Sequence, residues 1–146
     1  MRLEPLYRVR FTYPESWGIE LEGGWEQFLF IAEGRCEGGI SGRFRGVNHP
    51  RRRTSEGPFC PDMHAVIETD DGATIMMETH GYGRPYPAGR RQIVGSVLHL
   101  SDSDRYRRLN DVVCMCAGEV RAPLEEGGEP DLVMDVAELV WEPVAD

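Results

Sequence analysis

The chain has 146 residues, enough for one domain around one core. Hydrophobic residues make up 40% and charged residues 28%, the balance of a soluble globular protein. The formal net charge of −9 argues against a nucleic-acid surface, because phosphate binding needs a broad positive field.

All 16 basic residues are Arg, which removes Schiff-base lysine chemistry. Seventeen Gly and ten Pro imply many turns and few long helices, and so an all-β fold. Met1–Arg10 has no apolar signal region, and no apolar run reaches a membrane span. These features predict a cytoplasmic protein with its four Cys reduced.

In chain order, Leu3–Tyr13 alternates as a strand, with Tyr7, Val9, Phe11 and Tyr13 on one side. Pro14–Gly24 is acidic and turn-rich and reads as a loop. Trp25–Ala32, with Phe28-Leu29-Phe30-Ile31 apolar on both faces, reads as a central strand. Ile40–Val47 is a strand whose glycines permit strong bending. Asn48–Cys60 is a long irregular segment carrying His49 and Arg51-Arg52-Arg53. Tyr82–Gly89 reads as a loop and Arg91–Leu100 as a strand, with Ile93, Gly95, Val97 and His99 on one side. A short helix is expected near Asp104–Asn110, then strands over Val112–Arg121 and Asp131–Trp141. About eight strands and no long helix predict a small antiparallel β-barrel as a single domain.

The stretch Pro61–Gly83 holds the most chemistry. Asp71-Gly72 suits a two-residue hairpin turn, which would set Glu68 opposite Ile75 and His64 opposite Thr79. One face would then carry Asp62, His64, Val66, Ile75, Met77 and Thr79; the other would carry Met63, Ala65, Ile67, Met76, Glu78 and His80. Alternation alone leaves open which face is inside.

Three stretches stand in order along the chain: Gly34–Gly42, then Asp62 with Gly72 and Gly81, then Tyr106-Arg-Arg-Leu-Asn110 with Gly118. Together they resemble the bacterial domain-of-unknown-function 3237 family. The resemblance spans nearly the whole chain and implies a compact barrel of the allene-oxide-cyclase type. It implies no activity. It does imply that Asp62, His64, Val66, Ile75, Met77 and Thr79 face the interior. The chain departs from the family pattern at Gly46–Arg53, His64, Leu100 and Arg108, which puts its pocket chemistry apart from the usual member.

On that face Asp62 and His64 form a candidate acid/base pair, His64 moving the proton and Asp62 orienting the ring. Glu78 and His80 are the alternative pair should the other face be inside. Arg45, His49 and Arg51 are candidates to hold a substrate anion through planar guanidinium forks or an imidazole. Met77, Thr79 and His99 complete the expected pocket wall. Tyr7, Phe11, Tyr13, Phe28, Phe30, Phe44 and Trp25 offer aromatic lining, most of it core. His49, Cys60, His64 and His80 are ligand types without a zinc-like spacing, so no metal and no cofactor is expected. The function read from these residues is a cofactor-independent acid/base enzyme, of isomerase, cyclase, hydratase or lyase type, acting on a small apolar or aromatic metabolite, with an anionic group for the Arg residues. The alternative is a non-catalytic barrel that binds such a molecule. A third reading is a homo-oligomer with Glu78 and His80 at a subunit interface. Neither nucleic acid nor membrane is an expected partner.

Overall fold

The computed structural model describes residues 1–86, 90–123 and 125–145. Nine antiparallel strands form one sheet: β1 (Arg2–Glu20), β2 (Glu26–Gly38), β3 (Gly42–Asn48), β4 (Arg51–Arg52), β5 (Asp62–Thr69), β6 (Thr74–Tyr86), β7 (Arg90–Leu100), β8 (Cys114–Arg121) and β9 (Asp131–Val140). The spatial order is β1-β9-β8-β7-β6-β5-β3-β2, with β4 appended to β2. β1 also pairs with β2, and this seam closes the sheet into a barrel. Closure pairs the β1 and β2 edges with each other along Tyr7–Thr12.

Inward positions alternate with outward ones most clearly along β5, β6 and β7. Val9, Phe44, Ile67, Ile75 and Val97 have no exposed surface and meet in one core cluster. A 3-10 turn, Arg107–Asp111, lies between β7 and β8. Its Leu109 and the preceding Tyr106 are buried in the core. The Asn110 amide accepts from the Ser101 N–H at 2.8 Å and donates to the Ser101 carbonyl at 2.9 Å, which fixes this turn to the end of β7. The Tyr106 hydroxyl donates to the Asp71 carboxylate at the tip of the β5–β6 hairpin. That end of the barrel is therefore closed.

Several expected boundaries move. Pro14–Glu20 is not a loop: β1 continues through it after a bulge at Thr12/Glu15 and pairs with Glu26–Ile31. The result is an arm that rises beyond the β1–β9 pairing, which stops at Phe11. Within Asn48–Cys60, Arg51-Arg52 pairs with Gln27 and Glu26, and Phe59 bridges Gly83. Tyr82–Tyr86 belongs to β6 rather than to a loop, while residues 87–89 of the expected loop lie outside the described residues.

The decisive correction is the β5–β6 register. The Thr69 N–H donates to the Ala73 carbonyl at 2.9 Å, and the Ala73 N–H donates to Thr69 Oγ1 at 2.8 Å. The loop is thus Asp70-Asp71-Gly72, three residues, with Gly72 at φ 89°. One extra loop residue moves every partner by one. Ile67 pairs with Ile75, His64 with Glu78 and Asp62 with His80. Ile75, Met77 and Thr79 do face inward, but together with Met63, Ala65 and Ile67. Asp62, His64 and Val66 share the outer face with Met76, Glu78 and His80.

Candidate functional site

The end opposite the 3-10 turn is open. A cavity of about 280 Å³ lies there, lined by Tyr13, Phe28, Phe30, Asn48, Phe59 and Arg91 among others. The β1–β2 arm supplies its aromatic wall. Ser16 pairs with Phe30 and Gly18 with Phe28, so both rings lie on one face of the arm. Tyr13 stacks on Phe30 at 4.5 Å between centroids, and Phe28 sits 5.6 Å from Phe30 and 5.8 Å from Phe59. These contacts hold the rings in fixed orientations. Phe59 is brought in by its bridge to Gly83.

Two guanidinium groups address the Phe59 ring, Arg91 at 4.2 Å and Arg52 at 4.6 Å from its centroid. Both distances suit a cation–π contact. Arg52 is neutralised by Glu26 at 2.6 Å. Arg91 has no carboxylate within ion-pair distance among the described residues. Burial lowers the Arg91 pKa and the Arg52 charge lowers it further, while Glu26 and Tyr13 offset part of this. On the other polar side of the cavity, Asn48 Nδ2 donates to the Tyr13 hydroxyl at 2.8 Å, while Asn48 Oδ1 accepts from the Asp62 N–H. Burial pushes the Tyr13 phenol up to about 12. The cavity thus offers aromatic faces, one cation with no direct carboxylate partner among the described residues, and a phenol that keeps its proton.

A second polar group lies deeper, inside the barrel. Tyr7 Oη and His99 Nε2 are 2.8 Å apart, and Tyr7 Oη lies 3.3 Å from Met77 Sδ. Burial pushes His99 down to about 4, so the ring is neutral. His99 Nδ1 and Thr79 Oγ1 are buried without hydrogen-bond partners in the described structure. Met77, Thr79 and His99 are therefore interior, as expected, but they do not line the open cavity.

The expected acid/base pairs lie elsewhere. Asp62 and His64, assigned above to the interior, stand on the outer wall, and the His64 side chain is 57% exposed. Glu78 and His80 share that wall, so the two alternative pairs form a single cluster. Asp62 Oδ1 lies 3.3 Å from His64 Nε2 and 3.6 Å from His80 Nδ1, and Glu78 Oε1 lies 3.7 Å from His64 Nδ1. Arg45 also points outward and pairs with Glu68 at 3.2 Å, because its strand position opposes Val66 of the outer set. Arg51 lines an outer depression with Cys60, Asp62 and His80. His49 is held by its N–H, which donates to the Asp62 carbonyl at 2.9 Å. None of Arg45, His49 and Arg51 lines the open cavity. Among the described residues, no three His, Cys, Asp or Glu side chains are arranged to hold a metal ion. No described helix is long and apolar enough to cross a membrane.

Sequence reasoning passed over Arg91 and Asn48. Arg91 sits two residues before Ile93, so strand alternation already puts it on the inner face at the end of β7. Asn48 carries no comparable signal, since its role depends on the nonlocal contacts to Tyr13 and Asp62.

The profile of a family described as protein of unknown function (DUF3237) matches residues 1–139. No curated protein sequence matches the chain. Among solved structures, a protein of unknown function from Clostridium acetobutylicum is 16% identical, with a TM-score of 0.80, over 96% of this chain and 100% of that one. A β-barrel-like protein from Acinetobacter baumannii is 20% identical, with a TM-score of 0.76, over 94% of each chain. A structure described as an enzyme from Penicillium herquei is 21% identical, with a TM-score of 0.66, over 94% of each chain. At these identities the likeness is one of fold.

Proposed function

The chain belongs to the DUF3237 family, and we propose that it binds a small apolar or aromatic anion in the open cavity of its barrel. One observation carries this reading: Arg91 is half-buried among aromatic rings with no carboxylate partner among the described residues. A guanidinium removed from water is costly unless an anion compensates it. A ligand carboxylate or phenolate supplies that anion, and a planar fork binds a carboxylate through two parallel hydrogen bonds. The ring of the ligand would lie against Phe28, Phe30 and Phe59. A volume of about 280 Å³ restricts the ligand to one or two rings.

A second reading adds turnover. Tyr13 and Arg91 are the titratable groups lining the cavity, and both hold their protons at neutral pH. They can donate a proton or stabilise a developing oxyanion, but neither is a ready general base. Proton-transfer chemistry would then use Tyr13 as the acid and the ligand's own anion as the base. The Penicillium herquei protein of similar fold, described as an enzyme, lends this reading support. His64 and Asp62 do not enter it, because they lie outside the barrel.

Calorimetric titration with benzoate and 4-hydroxybenzoate, against the neutral analogue benzamide, tests the binding reading. The carboxylates are expected to bind at least about tenfold tighter than benzamide, and Arg91→Met to abolish that preference, a loss of about 1.4 kcal/mol or more. Equal affinity for benzoate and benzamide, or no binding of either acid, would sink the proposal. In the turnover reading, Tyr13→Phe leaves affinity within a few-fold and removes any chemical change in the ligand.

A further inference from the structure

The outer face of β5, β6 and β7 is laid out in rows across the strands. Val66, Met76 and Leu100 form one row; His64, Glu78 and Leu98 the next; Asp62, His80 and Ser96 the third; Tyr82 and Val94 the last. Met76 and Leu100 are each 61% exposed, and Leu98, Tyr82 and Val94 are also exposed. Exposed apolar side chains gathered in two rows on one sheet face mark an interaction surface. Between its two apolar rows, acid and imidazole alternate both along and across the strands. Asp62 stands beside His80 and His64 beside Glu78, with each acid two positions from an imidazole or directly opposite one.

We propose that this face binds a second copy of the chain across a two-fold axis that crosses the strands between the His64–Glu78 and Asp62–His80 rows. A two-fold interface must be complementary to itself. Rotation about that axis keeps each strand column in place and exchanges the rows. Glu78 then falls on His80 of the second copy, and His64 on Asp62 of the second copy. The Met76–Leu100 row falls on the Tyr82–Val94 row, apolar on apolar. Every acid meets an imidazole, which can donate a hydrogen bond to a carboxylate whether neutral or protonated. No like-charged pair is created at these four positions. A different arrangement of the same four residues, with both acids on one strand and both imidazoles on the other, would put acid on acid and imidazole on imidazole. The face opposes sheet to sheet, the aligned packing known from β-sandwiches. The aromatic lining of the open cavity comes from the β1–β2 arm and Phe59 rather than from this face.

Sedimentation and light scattering of the intact chain test the proposal. The expected mass is twice 16.5 kDa at protomer concentrations of about 10–100 µM. His80→Glu sets acid against Glu78 of the second copy, and Glu78→Arg sets cation against imidazole. Each single change is expected to raise the dimer dissociation constant at least about tenfold, and the pair Glu78→Arg with His80→Glu to recover most of the loss. Leu100→Glu, a change at an exposed position that leaves the barrel core untouched, is expected to give monomer with unchanged far-ultraviolet circular dichroism. A monomeric wild-type chain at about 100 µM would overturn the proposal. So would a dimer indifferent to all of these changes, or a double variant as dissociated as the singles.

Discussion

The charge state of His99 follows from where its ring lies. It is buried under β6 and β7, with Nε2 against the Tyr7 hydroxyl and Nδ1 against no partner. The arrangement that satisfies most groups has the Tyr7 hydroxyl donate to Met77 Sδ and accept from His99 Nε2–H. Nδ1 then carries only a lone pair, which is the smaller desolvation penalty. Burial holds the folded pKa at about 4 against an ordinary 6.5. The folded state therefore refuses a proton that the unfolded chain accepts. Stability from this group is complete above pH 6.5 and is lost as pH falls toward 4. Between pH 7 and 5 the loss should be about 2 kcal/mol, and His99→Gln should remove that part of the acid slope. Urea denaturation of the two proteins at both pH values measures it, and parallel slopes would refute the assignment. Alternation along β7 placed His99 inside from sequence alone, and the same parity places Arg91. The difference between them is chemical: an Arg at a strand end reads as solvated until the aromatic rings around it are known.

At the level of elements, the β5–β6 hairpin shows how one loop residue redirects a whole site. Asp71-Gly72 reads locally as a two-residue turn, and the alternation of both strands is legible. What is not legible is that Thr69 closes the loop with both its backbone and its hydroxyl, making the loop Asp70-Asp71-Gly72. Asp71 also accepts from Thr69 Oγ1 and from Tyr106, a residue 35 positions away. That nonlocal contact selects the longer loop and sends Asp62 and His64 outward. Two glycines test the element geometry by different physics. At Gly72 an added Cβ meets nothing within 4 Å, but φ is +89°, so Gly72→Ala should cost about 1–2 kcal/mol in backbone strain alone. At Gly34 a Cβ would lie 1.9 Å from the Arg10 carbonyl oxygen and 2.6 Å from Phe11 Cα, across the β1–β2 seam. Gly34→Ala should therefore cost about 3 kcal/mol or more, since backbone on both sides must move. Thermal melts rank the two, and a Gly34→Ala protein as stable as Gly72→Ala would contradict the close seam.

For the molecule as a whole, the count of strands and the absence of long helix were enough to read a barrel, because alternation is a local signal. Closure is not local. Tyr7 meets Gly38 on one side and Val136 on the other, and no short stretch of sequence records either partner. The arm that forms the cavity wall escaped for the same reason: Pro14–Glu20 is acidic and glycine-containing, and it becomes strand only because Glu26–Ile31 pairs with it. The closed ring makes a further prediction. Arg2 pairs with Val140, and the Met1 amino group lies 3.3 Å from the Glu142 carboxylate, so a short Gly/Ser linker can join residue 145 to residue 1 without crossing the barrel. A chain so joined and opened between Gly127 and Gly128 breaks no strand pairing, and it should melt within about 10 °C of the parent. The same joined chain opened between Asp71 and Gly72 also breaks no pairing, yet it frees the residue that Thr69, Tyr106 and Arg105 hold at the closed end. It should be clearly less stable than the first permutant and bind benzoate more weakly only in proportion to its unfolded fraction. If the two openings were equally tolerated, the Asp71 contacts would not be what closes the barrel end, and the register they select would need another cause.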